Sequence, residues 1–249
     1  MKKLKYILIF SYSVCIGQVD KYYTLIGMMS KSSTLNDSLM AAYNADGNPY
    51  DFTTHYNGTL TNGATAAGSP KIGSASFTFD GIDDYVALPV NTFTFTSSFS
   101  VSAWYYAVDV YDCVIFSTQD GVNGGFRIGE GANGIGWIRV FYGGGSFFDL
   151  NSPTSVIPNA WTHLVIVHKA GVGTYMYVNG TLDCSVLNGL TVASSGVNFP
   201  TIGIDEYGSG SYVYPFKGRI DAVQVWNKPL TATEITSLYN SGSGKQPPF

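Results

Sequence analysis

The chain is poor in charge, and that shortage excludes several classes of function at once. Charged residues make up 12% of its 249 positions, with 13 Lys and Arg against 17 Asp and Glu. No basic run is present to track a phosphate backbone, so nucleic acid is not an expected partner. No apolar run approaches the ~20 residues needed to cross a bilayer, so no membrane span is expected. Glutamate, a strong helix former, occurs only at Glu130, Glu206 and Glu234, which argues against a helical fold. What abounds is glycine (29), tyrosine (18) and phenylalanine (15), with 45% of residues hydrophobic. That supplies a sizeable core, and the mixture of turn formers and aromatics predicts a single all-β domain.

The first residues read differently from the rest. Lys2, Lys3 and Lys5 precede a mostly apolar stretch at 6–17, and Gly17 offers a small residue before Gln18. This is the pattern of an export signal over 1–17, the alternative being an uncleaved anchor or an N-terminal arm. Residues 18–36 then read as a leader or linker, 37–243 as the domain and 244–249 as a tail. Removal of the signal takes Cys15 with it and leaves Cys113 and Cys184, which either form one disulfide or remain two separate buried thiols.

Short β-branched or aromatic runs at 77–80, 85–88, 99–106, 114–117, 125–128, 136–142, 162–168, 174–178 and 218–226 predict strands. Turn formers separate them, among them Asp80-Gly81 and Asn179-Gly180, which read as tight hairpins. Alternation in Phe99-Ser100-Val101-Ser102-Ala103 predicts one buried face, while Leu164-Val165-Ile166-Val167 is apolar on both sides and so central. Thr231 with Glu234 forms a capping box ahead of Ile235, Leu238 and Tyr239, predicting one short helix at 231–239. The expected architecture is a two-sheet antiparallel β-sandwich or jelly roll with that helix near its end.

Several segments carry a family resemblance. Tyr56-Asn57-Gly58-Thr59-Leu60, Phe79-Asp80-Gly81-Ile82-Asp83-Asp84-Tyr85-Val86, Trp161-Thr162-His163-Leu164, Tyr177-Val178-Asn179-Gly180 and Gly218-Arg219-Ile220-Asp221 occur in that order. Together they resemble the laminin G-like jelly-roll domains of the concanavalin A-like lectin and glucanase superfamily, over about Ser38 to Tyr239. The physical content of these motifs is structural, with Trp104 and Trp161 expected to fill the space between the sheets. Such a fold hosts lectins, adhesion modules and some glycosidases, so function has to be argued from a site.

Glycoside hydrolysis needs paired carboxyl groups, and the glucanases of the resembled superfamily carry them on one strand as Glu-x-Asp-x-Glu. This chain has no such strand, and His163 and His168, five apart, fall on opposite faces of theirs. No catalytic residue is therefore assigned, and a binding role is expected. Trp137, Arg139 and Phe141 share one face of a strand, and Tyr175 and Tyr177 share a face of another. If Ile138, Val140, Met176 and Val178 face the core, the two aromatic sets form a shelf for a glycan; the other reading is that they fill a second small core. Loop aromatics at Phe147, Phe148, Tyr207, Tyr212 and Tyr214 form another candidate patch.

The resemblance also implies calcium as a cofactor at the sandwich rim, with Asp51 and Asp221 as ligands meeting across the fold and Asp84 and Asp46 as further options. The alternative is ordinary turn capping by these aspartates. The expected partners are a glycan or a surface protein, and the expected location is secreted or surface-exposed. A structural or adhesion subunit of a larger assembly, homo-oligomeric or built into a virion or filament, is the competing reading.

Overall fold

The computed structural model describes residues 35–249 except 96, 120–123, 132–134, 143–145, 156, 190–191, 193–197 and 207–209, and omits the side chains of 135, 138–142 and 146–147. The expected signal at 1–17 and nearly all of the leader at 18–36 lie outside the described residues. The chain divides into Met1–Asp37 and Ser38–Phe249, and the strands among the described residues belong to the second unit.

That unit is built from strands β1 (Leu39–Tyr43), β2 (Thr59–Thr61), β3 (Thr65–Gly68), β4 (Ser76–Asp80), β5 (Tyr85–Ala87), β6 (Phe99–Ala107), β7 (Cys113–Ser117), β8 (Phe126–Glu130) and β9 (Ile135–Tyr142). They are followed by β10 (Ser146–Ser155), β11 (Thr162–Lys169), β12 (Gly173–Val178), β13 (Thr181–Val186), β14 (Thr201–Ile202), β15 (Asp205–Glu206), β16 (Tyr212–Val213) and β17 (Lys217–Trp226). Helix α1 (Ala232–Tyr239) closes the series, with Thr231 and Glu234 forming the expected capping box.

The strands form two antiparallel sheets and a hairpin. The first sheet runs β13-β12-β11-β6-β17-β4-β3, and the second runs β10-β9-β8-β7-β14-β5-β2. In the first sheet β17 divides one edge between two partners: Lys217–Ile220 pair with β4, and Val223–Trp226 pair with β1. The division falls at a bulge, where Ala222 takes a left-handed φ of 47°. Strand β11 lies between β6 and β12, the central place its two-sided apolar sequence requires.

Alternation decides which side chains meet between the sheets. Met176 and Val178 of β12, Leu164 and Ile166 of β11, and Phe126 and Ile128 of β8 all enter one core. Its centre is phenylalanine: Phe99 stacks on Phe95 at 4.2 Å and on Phe126 at 4.6 Å. The tryptophans expected there are elsewhere. Trp104 stacks on His163 at 4.9 Å and on Tyr239 at 5.7 Å, on the outer face of the first sheet, and Trp161 lies half-buried at 5.7 Å from Tyr106. The motif that contains them is therefore not an intersheet core motif. Asn179-Gly180, with φ of 49° and 77°, does close a tight hairpin between β12 and β13, but Asp80-Gly81 joins β4 to β5 in the other sheet.

The first sheet is covered on its outside as well. Ser100 Oγ donates to the Lys228 carbonyl and accepts from Leu230 N–H, so the serines of β6 are buried, not solvent-facing, under α1 and its approach. Residues 244–249, expected as a tail, are held there too. Gln224 Nε2 donates to the Lys245 carbonyl and Gln246 Nε2 to Asp46. His163 is on this covered side, while His168 packs 5.2 Å from Phe99 on the core side, so the two do fall on opposite faces. Cys113 and Cys184 are free thiols, the second of the two alternatives open for them.

Candidate functional site

The outer face of the second sheet carries the polar chemistry. In β8 Phe126 and Ile128 point into the core, so Arg127 between them points out, and the ladder sets it opposite Ser117 on one side and Arg139 on the other. The β15–β16 hairpin lies over this face. Its Asp205 takes the Arg127 guanidinium at 2.6 Å through Nη1 and the Ser117 hydroxyl at 2.5 Å, with both charged side chains buried. Tyr214 follows the hairpin and places its ring centroid 4.7 Å from the guanidinium carbon, and the ring of Trp137 of β9 lies 5.3 Å from the same carbon. The result is a cation in contact with two aromatic rings and neutralised by one buried carboxylate.

Around this centre the face grades from closed to open. Tyr85 of β5 stacks on Tyr212 at 4.9 Å, and the two hydroxyls share a hydrogen bond. That bond, with burial second, raises the Tyr212 phenol above its ordinary range and keeps it a neutral hydroxyl. Tyr212 and Tyr214 remain 43% and 36% exposed, Trp137 is half-buried, and Asn151, opposite Trp137 on β10, is exposed. Under the hairpin two groups lack partners: Arg127 Nε and the whole amide of Gln119, whose N–H donates to Ser117 Oγ.

The residues expected to form one shelf are divided by the sandwich. The ladder places Trp137, Arg139 and Phe141 at outward positions of the second sheet, since Trp137 pairs with Gly129 and Arg139 with Arg127. The side chains of Arg139 and Phe141 lie outside those described. Tyr175 and Tyr177 flank Met176, which is in the core, and so face outward from the first sheet, on the opposite side of the molecule. A shelf joining the two sets is thus corrected: what joins Trp137 is Tyr214, with Tyr212 and Tyr85 beyond it. Phe148 packs toward the core, and Tyr207 lies outside the described residues. Arg127 and Asp205 were missed from sequence, although a lone charge inside the apolar run Phe126-Arg127-Ile128 is a usable signal.

Asp51 and Asp221, expected to meet at one calcium ion, are held by separate sets of donors. Asp51 accepts from the peptide N–H groups of Ala42, Thr53, His55 and Tyr56 and from the Thr53 hydroxyl. Asp221 accepts from Lys71, Ile72 and Ala222 N–H, a set that shares no residue with the first. Asp84 accepts from Gly63 and Asp80 N–H, and Asp46 from Ser74 and Ala75 N–H. Asp51 and Asp221 are thus each occupied by the positive ends of peptide dipoles, where calcium needs six to eight oxygens. Among the described residues the acidic group whose oxygens lie within 4.8 Å of one another is Asp80, Asp83 and Asp84, which includes one of the further options, Asp84, but neither Asp51 nor Asp221. The melting temperature is accordingly expected to be the same in calcium and in EDTA. Asp51→Ala should cost about 3 kcal/mol under both conditions, because it leaves buried N–H donors unpaired. A calcium-dependent rise in melting temperature that Asp51→Ala removes would reverse this assignment.

Glu130, Glu206 and Glu234 are likewise dispersed. Glu234 caps α1 and meets Lys228 at 2.6 Å, Glu206 accepts from Gly210 N–H in the hairpin, and Glu130 follows Ile128 on the core side of β8. Burial raises the Glu130 carboxyl to about 7.

A family model for laminin G-like domains of the concanavalin A-like lectin/glucanases superfamily matches residues 80–236. No curated protein matches the chain. Among solved structures it is similar to domain 4 of AbnA, a GH43 extracellular arabinanase from Geobacillus stearothermophilus, in complex with arabinotriose. The TM-score is 0.67, at 21% identity, over 80% of this chain and 97% of that one. The Ruminococcus gnavus IT-sialidase CBM40 bound to α2,3-sialyllactose is similar at TM-score 0.53 and 17% identity, over 59% of this chain and 85% of that one. The binding domain of Botulinum neurotoxin DC, in complex with rat synaptotagmin II, is similar at TM-score 0.59 and 18% identity, over 84% of this chain and 52% of that one. This chain therefore spans about half of the neurotoxin domain's length. Likeness at these identities shows the fold and leaves the ligand to be argued from the residues.

Proposed function

We propose that this chain, which belongs to the concanavalin A-like lectin/glucanases superfamily, is a non-catalytic binding module that holds a saccharide on the outer face of its second sheet. The observation that carries the reading is the row Trp137, Arg127, Tyr214, in which two part-exposed rings are fixed by one buried ion pair. Sugar rings present C–H faces that stack on aromatic rings, and rings already fixed lose little entropy when they bind. Arabinotriose and sialyllactose occur as ligands in two structures of the same fold, which supports a saccharide. Catalysis is not part of the proposal: Asp205 is committed to Arg127, Glu234 to a helix cap and Glu130 to the core side, and the sequence carries no Glu-x-Asp-x-Glu strand. An extracellular location is part of it, resting on the charge and apolar pattern of residues 1–17.

The divided aromatic sets make the reading testable. In a glycan array followed by titration of the best ligand, Trp137→Ala and Tyr214→Ala are expected to reduce affinity by about tenfold or more, with stability lowered by no more than about 2 kcal/mol. Tyr175→Ala and Tyr177→Ala, on the far side of the sandwich, should bind as the parent does. Loss of binding in the second pair but not the first would move the site to the first sheet.

A further inference from the structure

We infer that the ligand of this face is a neutral saccharide and that acidic glycans are rejected, an inference that rests on the saccharide reading above. The strands of the second sheet and the hairpin over it contain two basic residues, Arg127 and Arg139. The loops at 118–125, 131–134, 143–145 and 203–211 add none in sequence. Arg127 gives Nη1 to Asp205 at 2.6 Å, with the rings of Trp137 and Tyr214 at 5.3 and 4.7 Å from its guanidinium carbon. The position of Arg139 is in register with that of Asp149 in the β9–β10 ladder, so the strand pair carries one charge of each sign at this place. Glu206 adds a third carboxyl group at the hairpin, so the face carries no excess of positive charge.

Recognition of a carboxylate or sulfate uses the paired N–H fork of an arginine that is otherwise free. Here Arg127 is buried and gives Nη1 to a carboxylate of the protein itself, and the exposed charge an incoming anion would meet is that of Asp149, with Asp205 and Glu206 enclosed behind it. Like charges brought together in a partly desolvated site cost binding. What remains available on the open side is aromatic surface at Trp137, Tyr212 and Tyr214 and the neutral amide of Asn151, groups that suit C–H faces and hydroxyls.

The test uses the full chain and matched pairs of probes, for instance lactose against α2,3-sialyllactose and xylotriose against its glucuronic acid-substituted form, titrated by calorimetry. The neutral member of a pair is expected to bind at least about tenfold tighter, and its affinity to change by less than about twofold between about 20 and about 200 mM salt. Asp149→Asn, an exposed substitution that leaves the buried ion pair intact, should narrow the preference by about threefold through a gain for the acidic member. If the acidic members bind as well or better, with affinity that falls as salt rises, the neutral-ligand inference is overturned while the saccharide reading stands. If no member of any pair and no other glycan binds, the saccharide reading itself fails and this inference falls with it.

Discussion

Glu130→Gln is expected to make the protein progressively more stable than the parent as pH rises from about 4 to about 8. Glu130 is fully enclosed, neither carboxyl oxygen has a hydrogen-bond partner, and burial raises its pKa from 4.5 to about 7. Its neighbours include Cys113, paired with it in the ladder, and the phenols of Tyr105 and Tyr111. A carboxyl group whose folded pKa is raised costs nothing below about 4.5, where both states are protonated. As pH rises the unfolded chain ionises first, so stability falls until the folded pKa is reached and is lower by a constant amount above it. The gap between 4.5 and about 7 corresponds to about 3 kcal/mol. Asp221, raised to about 7 by burial against the opposing effect of its three N–H donors, acts in the same direction.

The histidines act in the other direction. Burial lowers His163 to about 3 and His168 to about 4, so their contribution is present above 6.5 and is lost as pH falls toward those values. The two trends oppose between about 4.5 and 6.5, and the parent protein is expected to show a shallow profile there. Denaturant unfolding of parent and Glu130→Gln at pH 4, 5.5, 7 and 8 reads the effect directly. The difference should grow by about 3 kcal/mol in favour of the variant between the first and last of these, whatever constant offset the amide introduces. Parallel curves would show that Glu130 is solvated or partnered in the folded protein.

The second large effect is expected at the buried pair on the outer face. Asp205→Ala leaves the Arg127 guanidinium enclosed with neither a countercharge nor enough water, and should cost about 3 to 5 kcal/mol. Arg127→Met should cost a similar amount by stranding Asp205. The double variant Arg127→Met with Asp205→Ala is expected to recover much of the loss, because two charges that are both removed need no solvation. Unfolding of the four proteins in a double-mutant cycle measures this, and single variants that cost less than about 1 kcal/mol would mean that the pair is reached by water. Because Trp137 and Tyr214 are set on this guanidinium, both single variants should also weaken ligand binding. Trp137→Ala therefore remains the cleaner probe of the site.

Much of the architecture was legible because it follows from local rules. The strands β4 to β9, β11, β12 and β17 were found from β-branched and aromatic runs between turn formers, and α1 from its capping box. The strands that were missed are short or polar, as β2 and β14 are, or interrupted, as β10 is by Pro153. Their place comes from a neighbour's free ladder edge and not from their own composition.

The candidate site divides in the same way. Period-two alternation was enough to put Trp137, Arg139 and Phe141 on one face and Tyr175 and Tyr177 on one face, because side-chain direction along a strand depends only on parity. Parity does not say which sheet a strand joins. That choice depends on pairing between residues far apart in the chain, and it set the two groups on opposite sides of the sandwich. The same pairing brought Asp205 onto Arg127, 78 positions away, and Tyr214 onto the ring of residues around it. It also covered the serines of β6 with a helix, and it filled the aspartates expected to hold calcium with peptide N–H groups. The sequence by itself thus determined a lectin-like sandwich rich in outward aromatics. Which aromatics act together, and which charges are already neutralised, was decided by tertiary contacts, since long-range pairing and desolvation have no signature in local spacing.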